Sequence, residues 1–457
     1  MNRTVAVLVA AFVLLVACAP TRVAGTPGAP GLGDPYYPFD GNGGYDVQDY
    51  RLDIAYDPAT DVLTGTATIR ARATQALSTF NLDLHGLEVR KASVNGGPAT
   101  ARRSGDELTI TPAAPLALDR EFTAVIRYGG VPRTINYQFG LSGFFHTDDG
   151  ALAIGQPHVA ATWYPVNDHP SDPATYTVSV TVPEGLAAIS NGVLEQQTGS
   201  TFTWRSAEPM ASYLVGLAIG PFDVRTYEAG GLRFWDAVDP DVPKLDVVNA
   251  SLARQPEMID FLSGVFGPYP FTAAGGIVDD LPEMQFGLEN QTRPIYSPGS
   301  FEDAHFDDVV VVHELAHQWF GDSLHLTRWQ DIWLNEGFAT YAEWLWKERE
   351  GRGTVAEQIE AKMTKRPAGD PFWTVRIGDP GPSALFKGAI YVRGAMTLHA
   401  LRTEIGDEAF TRLVRAWTER KDRGVTTAEF IALAEEVSGR QLDALFTTWL
   451  DMPHKPV

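Results

Sequence analysis

The chain has 457 residues, 44% of them hydrophobic, and its 57 acidic and 36 basic side chains give a formal net charge of −21. This acidic balance argues against nucleic acids and anionic membrane surfaces as partners. A single cysteine excludes an intramolecular disulfide. About 410 residues follow the first 44, which is more than one hydrophobic core usually serves, so we expect two domains.

Residues 1–17 have the features of a signal peptide. Arg3 supplies a short positive region, and the apolar run from Val5 to Val16 is too short to span a bilayer. The run ends in Leu15-Val16-Ala17-Cys18, which resembles a bacterial lipobox. The resemblance implies cleavage before Cys18 and a lipid on its thiol, so that the protein is held to a membrane outside the cytoplasm.

An ordinary signal peptide with an incidental cysteine is the alternative, and it would make the protein secreted. Residues 18–44 are rich in Pro, Gly, Ala and Thr and show no hydrophobic periodicity. That composition predicts a flexible tether between the lipid and the folded part.

Residues 45–226 carry mostly β-strand patterns. The segment Tyr50–Tyr56 alternates apolar and polar side chains, as a half-buried strand does, and similar short segments recur as far as Ile219. Asn95-Gly96 is typical of a hairpin turn. Many short strands separated by turns predict an all-β domain, either a sandwich or a saddle-shaped sheet.

Residues 227–457 are predicted to form a second, mostly α domain. Its helical segments include Phe301–Phe320 and Asn335–Glu350, with Asn335 as the helix cap, and a small sheet is expected around Gly275–Tyr296. The fold class predicted for the chain is therefore multidomain, with an all-β domain followed by a mostly α domain.

The segment His313-Glu314-Leu315-Ala316-His317 lies on the first of these helices. Positions four apart lie on one helix face, about 6 Å from each other, so the two imidazoles can share one metal ion. A catalytic zinc takes three protein ligands and a water, and Glu336 is the third ligand that we predict. Glu314 lies beside the first ligand, where its carboxylate can take a proton from that water.

A surface helix with two incidental histidines is the alternative to this zinc site. The downstream segment Asn335-Glu336-Gly337-Phe338-Ala339, which supplies an acidic ligand at the spacing a zinc hydrolase requires, argues against it. His325 is also near the ligands in sequence, but a third imidazole would close the position of the water. We therefore assign His325 to the surface or to the layer behind the ligands, and we predict one Zn²⁺ per chain.

Several segments resemble the aminopeptidase N family of gluzincin zinc metallopeptidases. The segments His313–Asp322 and Trp333–Tyr341 match the zinc region of the family, and Phe286–Asn290 resembles its Gly-Ala-Met-Glu-Asn motif. Gln156-Pro157 is similar to the β-domain segment that holds the substrate amine, and Tyr391–Ala395 resembles the family's Tyr-Glu-Lys-Gly-Ala. The resemblance covers roughly residues 45–450.

This resemblance implies a thermolysin-like zinc domain after the β domain, and a zinc-dependent aminopeptidase at the cell exterior. It implies that Tyr391 stabilises the oxyanion during catalysis and that the substrate is held by Gln156, Gly287, Leu288, Glu289 and Asn290. The expected partners are peptides with a free amino terminus. Because the zinc chemistry leaves Glu289 no proton to move, its carboxylate is best explained as the partner of the substrate ammonium.

The sequence also departs from the family pattern. Phe286 replaces the first glycine of its motif, which is expected to narrow the groove beside the first side-chain pocket, and Val392 replaces an acidic residue. Gln156 stands where many members have Glu, so one charge on the substrate amine is missing. The chain ends at Val457 without the family's C-terminal helical domain, so we expect a more open site.

Three other functions remain possible on the sequence alone. A thermolysin-like endopeptidase would share the zinc helix but gives Glu289 no role. An epoxide hydrolase, by analogy with the leukotriene hydrolase of the same family, would need an apolar channel. A non-catalytic surface binding protein would have no need of the intact Glu314 and ligands.

Overall fold

The structure of the chain, a computed structural model, describes residues 25–137, 139–301 and 307–456. The predicted signal peptide and the predicted lipidation site Cys18 lie outside these ranges. Within them, no helix combines the length and the apolar composition that crossing a membrane requires.

Strands make up the N-terminal part of the described chain. They are β1 (Thr26–Pro27), β2 (Tyr45–Asp57), β3 (Val62–Ala73), β4 (Leu77–Asp83), β5 (Glu88–Val94), β6 (Gly97–Ser104), β7 (Glu107–Pro112), β8 (Glu121–Gly130), β9 (Thr134–Tyr137), β10 (Gly140–His146), β11 (Ala151–Ile154), β12 (Ala174–Thr181), β13 (Ala187–Ser190), β14 (Val193–Thr198), β15 (Thr201–Met210) and β16 (Leu217–Gly220). They form an 11-stranded sheet in the order β1-β4-β7-β6-β5-β8-β3-β2-β12-β15-β14 and a five-stranded sheet in the order β13-β16-β11-β10-β9.

Alternating side chains hold the two sheets together. Along β2 every second residue from Tyr50 to Tyr56 is buried, because side chains of a strand point to its two faces in turn. The ring of Tyr56 packs against that of Phe144 on β10, with 5.3 Å between the ring centroids. The inward faces of both sheets therefore share one apolar core.

The C-terminal part combines a small sheet with helices. The sheet has the order β17-β18-β19-β20, and β21 pairs with β22 separately. These strands are β17 (Asp223–Ala229), β18 (Leu232–Val238), β19 (Ala273–Val278), β20 (Ile295–Tyr296), β21 (Leu324–Leu326) and β22 (Arg423–Val425). The helices are α1 (Leu245–Leu252), α2 (Gln255–Phe266), α3 (Asp307–His317), α4 (Trp333–Arg349), α5 (Val355–Lys365), α6 (Gly388–Ile405), α7 (Asp407–Thr418), α8 (Thr427–Ser438) and α9 (Asp443–Phe446).

The predicted succession of a β domain and a mostly helical domain is confirmed. The predicted boundary between residues 226 and 227 is wrong in detail, because it falls inside β17, which pairs with β18 of the second domain. Asn335 is also not a helix cap. It lies inside α4, which begins two residues earlier at Trp333.

Residues 25–44 do not form the flexible tether that their composition predicted. The strand β1 pairs in parallel with β4 of the large sheet. Asp34 is 5% exposed, and one of its carboxylate oxygens accepts a hydrogen bond from the backbone N–H of Trp329, in the second domain, at 3.0 Å. The hydroxyl of Tyr36 donates to Asp379 at 2.5 Å, also in the second domain. This segment, which we call the N-terminal strap, therefore binds the two domains to each other.

The helices α4 and α6 cross at a pair of glycines. A Cβ atom added to Gly394 of α6 would lie 2.9 Å from the Cα of Gly337 in α4, and one added to Gly337 would lie 3.0 Å from the carbonyl carbon of Gly394. The two helices can approach this closely only because both residues are glycines, which have no Cβ atom. Because Glu336 precedes Gly337 and Tyr391 lies one turn before Gly394, the crossing brings these two side chains into the same site.

We expect the substitution Gly394→Ala to push the two helices apart. The added methyl group overpacks a buried contact, so the free energy of unfolding should fall by about 1–3 kcal/mol, and turnover should fall as Tyr391 moves away from Glu336. Urea unfolding measures the first effect. Gly388→Ala is the matched control in the same helix, since a Cβ there meets nothing within 4 Å. Equal stability of the two variants would contradict this account of the crossing.

Candidate active site

The helices α3 and α4 supply the three predicted metal ligands. His313 and His317 lie one turn apart on α3, and Glu336 lies in the first turn of α4. The Nε2 atoms of His313 and His317 are 3.3 and 3.4 Å from Oε2 of Glu336. The three ligand atoms thus converge within 4.8 Å of one another.

The Nδ1 atoms of both histidines, which face away from the metal position, lie within hydrogen-bond distance of protein oxygens. Nδ1 of His313 lies 2.8 Å from a carboxylate oxygen of Glu343, and Nδ1 of His317 lies 2.9 Å from the backbone carbonyl of Phe320. Each Nδ1 can therefore donate a hydrogen bond, which leaves Nε2 as a free acceptor. This is how metal-binding imidazoles are usually oriented.

The environment of the three ligands suits a cation. Burial alone would lower the pKa of His317, but the carboxylates of Glu289 and Glu336 outweigh burial and raise it to about 9. Burial would raise the pKa of Glu336, but the two imidazoles lower it to about 2. Oε2 of Glu336 is buried and has no hydrogen-bond partner in the described part of the chain. Two imidazole nitrogens and one buried carboxylate oxygen without a hydrogen bond are a ligand set that fits Zn²⁺.

Glu314 points into the same site from α3. It is 5% exposed. Burial, opposed by His313 and His317, raises its pKa to about 7. Gly287 is packed against it, because a Cβ added to Gly287 would lie 2.4 Å from Oε1 of Glu314. A glycine is therefore required at position 287 for the loop to approach the Glu314 carboxylate.

Glu289 lies at the junction of the two domains and is 3% exposed. Its Oε1 accepts hydrogen bonds from Nε2 of Gln156 at 3.0 Å and from the hydroxyl of Tyr213 at 3.2 Å. The ligand atoms of Glu289, Glu314 and His317 also lie within 4.8 Å of one another. A small cationic group next to the metal position would therefore meet two carboxylates.

Of the other predicted substrate residues, Leu288 lies at the site and Asn290 does not. Leu288 lines a cavity next to Glu289, and its backbone exchanges two hydrogen bonds with Ile295 of β20, at 2.8 and 2.9 Å. The structure places Asn290 elsewhere. That side chain is fully buried and donates to the backbone carbonyl of Leu214 at 3.0 Å. We therefore assign Asn290 to holding the loop against the N-terminal domain, which differs from the predicted contact with substrate.

Tyr391 reaches the site from α6. Its ring lies against the imidazole of His313, with 5.9 Å between the ring centroids. Burial, and then the carboxylates of Glu336 and Glu289, raises the pKa of the Tyr391 hydroxyl well above its usual value. The hydroxyl thus stays protonated and can act as a hydrogen-bond donor.

His325 is not at the surface, in contrast to one of its two predicted placements. It lies in β21, is 5% exposed, and burial lowers its pKa to about 4. Among the described residues it belongs to neither group of side chains that could hold a metal. Glu343 and Tyr213 were missed in the sequence. Glu343 was detectable, since it follows Glu336 by seven residues, or two turns, on one face of α4.

The site combines two histidines and a glutamate on two helices with the neighbouring carboxylates of Glu289 and Glu314, and it follows a β domain in the chain. This arrangement is that of a zinc metallopeptidase. The family described as Peptidase M1 N-terminal domain matches residues 46–214, and the Peptidase family M1 domain matches residues 297–449. The chain belongs to peptidase family M1, and it is a hydrolase with zinc as its cofactor.

Solved and curated relatives agree with this assignment. The M1 zinc metallopeptidase of Deinococcus radiodurans is 31% identical, with a TM-score of 0.85 over 93% of this chain and 98% of that one. Glutamyl aminopeptidase of Bos taurus is 25% identical over 92% of this chain and 48% of its own. Aminopeptidase M1-D of Oryza sativa subsp. japonica is 27% identical over 89% and 50%. The chain thus spans about half the length of the curated relatives it matches.

We expect Glu343→Ala to weaken zinc binding without removing a ligand. The imidazole of His313 loses the acceptor that orients it, which typically costs about 10–100-fold in metal affinity. Competition with a chelator measures that affinity. Glu348→Ala is the control, because Glu348 is exposed on the same helix. Zinc affinity as high in Glu343→Ala as in the control would show that His313 needs no orientation from Glu343.

Proposed function

We propose that the protein is an aminopeptidase that hydrolyses the first peptide bond of peptides with a free amino terminus. The observation that carries this proposal is the buried carboxylate of Glu289 beside the zinc ligands, with Gln156 as its hydrogen-bond donor. The related enzyme of Deinococcus radiodurans supports it, since a variant of that enzyme has been crystallised with the substrate Tyr-Ser-Ala.

The residues of the site can carry out each step of such a hydrolysis. When bound, zinc polarises the scissile carbonyl and a water molecule. Glu314 accepts a proton from the water and returns it to the leaving amine, and its pKa of about 7 suits both directions. The Tyr391 hydroxyl donates a hydrogen bond to the oxyanion, a contact worth roughly 3–4 kcal/mol in the transition state.

Glu289 sets the register of the substrate. A free α-amino group is cationic or nearly so at neutral pH, and burying it without an anionic partner would be costly. Glu289 provides that partner within 4.8 Å of the nearest ligand atom of His317. With the ammonium held there, the first peptide bond would lie next to the three metal ligands, and later bonds would lie beyond them.

We expect Glu289→Ala to reduce kcat/KM for free-amino substrates by about a hundredfold or more, because the substrate ammonium loses its charged partner. Zinc content should not change. Gln156→Ala should have a smaller effect, since a neutral amide makes a weaker bond than a carboxylate. The rates of both variants with aminoacyl fluorogenic substrates measure the difference.

The same experiment with acetylated peptides separates an exopeptidase from an endopeptidase. Acetylation removes the charge of the amino terminus, so the wild-type enzyme should not cleave such peptides. Similar rates for free and acetylated peptides would reject the aminopeptidase and leave the thermolysin-like endopeptidase in its place.

We also propose that the protein acts outside the cytoplasm, attached to a membrane by a lipid on Cys18. This rests on Leu15-Val16-Ala17-Cys18 and the apolar run before it. Secretion without a lipid is the alternative. The net charge of −21 makes binding to an anionic membrane through the protein surface unfavourable, so membrane attachment would depend on the lipid.

The substitution Cys18→Ser should release the protein from the membrane fraction or block its processing, since the thiol that accepts the lipid is gone. Fractionation of cells followed by mass spectrometry of the amino terminus measures both outcomes. Wild-type protein found wholly in the soluble fraction with a free thiol would disprove the anchor.

A further inference from the structure

A small cavity lies next to Glu289 at the junction of the two domains. Its volume is about 120 Å³, and its apolar walls are formed by Phe139, Leu141, Phe286, Leu288 and Phe386. Gln156 and Tyr391 also line it, and both contact the site already described. The cavity therefore lies where the side chain of the first substrate residue would extend.

The walls of the cavity are uncharged, which disfavours a charged substrate side chain. None of the described residues that line the cavity carries a charge, and the polar ones offer only neutral groups, such as the buried hydroxyl of Ser142. Lys387 follows Phe386 in the chain, but it is exposed and does not line the cavity. A carboxylate placed there would lose its hydration without gaining a cationic partner.

The neighbouring acidic groups add to this effect. Glu289 receives a hydrogen bond from Gln156, which is itself a wall residue, so its carboxylate lies just beyond the cavity. An acidic substrate side chain would approach this carboxylate with the same sign of charge. Although related proteins are named glutamyl aminopeptidase, we therefore do not expect this protein to accept an N-terminal glutamate.

The size of the cavity sets a second limit. A cavity of about 150 Å³ lined by Leu, Ile and Phe accommodates one benzene molecule, and the cavity of 120 Å³ is slightly smaller. A leucine side chain or a single phenyl ring is closer to this volume than an indole ring, which is larger than benzene. Phe286, where the family motif has glycine, takes up part of the volume.

Two phenylalanines, one from each domain, close the cavity on one side. Phe139 follows β9 of the N-terminal domain, and Phe386 precedes α6 of the catalytic domain. Their rings meet edge to face, with 4.8 Å between the centroids and an interplanar angle of 84°. Both side chains are half-buried, so truncating either one opens the cavity without emptying the main core.

We propose that this cavity selects an apolar N-terminal residue no larger than phenylalanine, and that the Phe139–Phe386 contact determines the size limit. The proposal rests on the aminopeptidase function and names its substrate class, namely peptides that begin with residues such as leucine, methionine or phenylalanine. Glutamyl and aspartyl substrates are excluded by charge, and tryptophyl substrates are disfavoured by size.

A panel of aminoacyl fluorogenic substrates tests the preference of the wild-type enzyme. The leucyl and phenylalanyl substrates should have the highest kcat/KM, and the glutamyl substrate should be lower by about a hundredfold or more, because its charge is buried unpaired. The tryptophyl substrate should be lower by about tenfold or more, since it overfills the cavity. A glutamyl, arginyl or lysyl preference would overturn the proposal.

Phe139→Ala and Phe386→Ala test the size limit directly. Each variant should raise the ratio of kcat/KM for the tryptophyl over the leucyl substrate by about tenfold, because one wall is removed. Phe372→Ala is the matched control, since Phe372 also makes an edge-to-face contact, with Trp373 at 4.7 Å, but does not line the cavity. An unchanged ratio in both cavity variants would show that the contact does not determine size.

A binding measurement separates this proposal from the aminopeptidase function itself. Calorimetry with zinc-loaded Glu314→Gln should detect leucinamide and give no signal for the α-amide of glutamic acid. Hydrolysis of free-amino substrates combined with tight binding of the glutamic amide would overturn the selectivity and leave the aminopeptidase intact. If no free-amino substrate were cleaved and neither amide bound, both proposals would fail together.

Discussion

The active site depends on one loop, residues 288–293, that is hydrogen-bonded from both domains. Gln318, next to the ligand His317, donates to the backbone carbonyl of Glu289 at 3.0 Å and accepts from the N–H of Thr292 at 2.7 Å. Asn191 of the N-terminal domain donates to the carbonyl of Gln291 at 2.8 Å. The zinc helix and the loop that carries Glu289 are therefore held in one rigid arrangement.

Arg293 holds the far end of this loop. It is 1% exposed, and its guanidinium donates to the backbone carbonyls of Trp235, Ala274 and Gly192 at 2.6–3.0 Å. The guanidinium also lies 5.4 and 5.2 Å from the ring centroids of Trp204 and Trp235. Burial lowers its pKa to about 10, so it stays charged at neutral pH. Displacing the guanidinium would leave the three buried carbonyl groups without their donor, which makes the loop difficult to displace.

The parts of the protein that are encoded locally could be predicted from the sequence. The two histidines share a helix face because they are four residues apart, and Glu336 follows them on the next helix. The turn at Asn95-Gly96 joins β5 to β6 with positive φ angles of 52° and 76°, as this residue pair favours in a hairpin. The histidine pair and the turn follow from the backbone geometry of a few consecutive residues, and Glu336 from the spacing of its segment after the histidines.

The features that could not be predicted depend on residues far apart in the chain. The N-terminal strap has the composition of a linker, and it is ordered because Asp34 and Tyr36 find partners about 300 residues away, at Trp329 and Asp379. Gly25 likewise reads as a linker residue, yet a Cβ there would lie 2.4 Å from the backbone of Leu77. The composition of a segment indicates how flexible it is in isolation. It does not show whether a distant part of the protein binds the segment and orders it.

The division of the site between two domains links its geometry to the whole fold. Gln156 and Phe139 come from the N-terminal domain, whereas Glu289 and Phe386 come from the catalytic domain. A rotation of one domain against the other would change the cavity and the hydrogen bond to Glu289 at the same time. The strap and the loop 288–293 both form hydrogen bonds between the two domains, and these bonds oppose such a rotation. The geometry of the site is therefore a property of how the domains are joined, since neither domain alone supplies both the cavity walls and the hydrogen bond to Glu289.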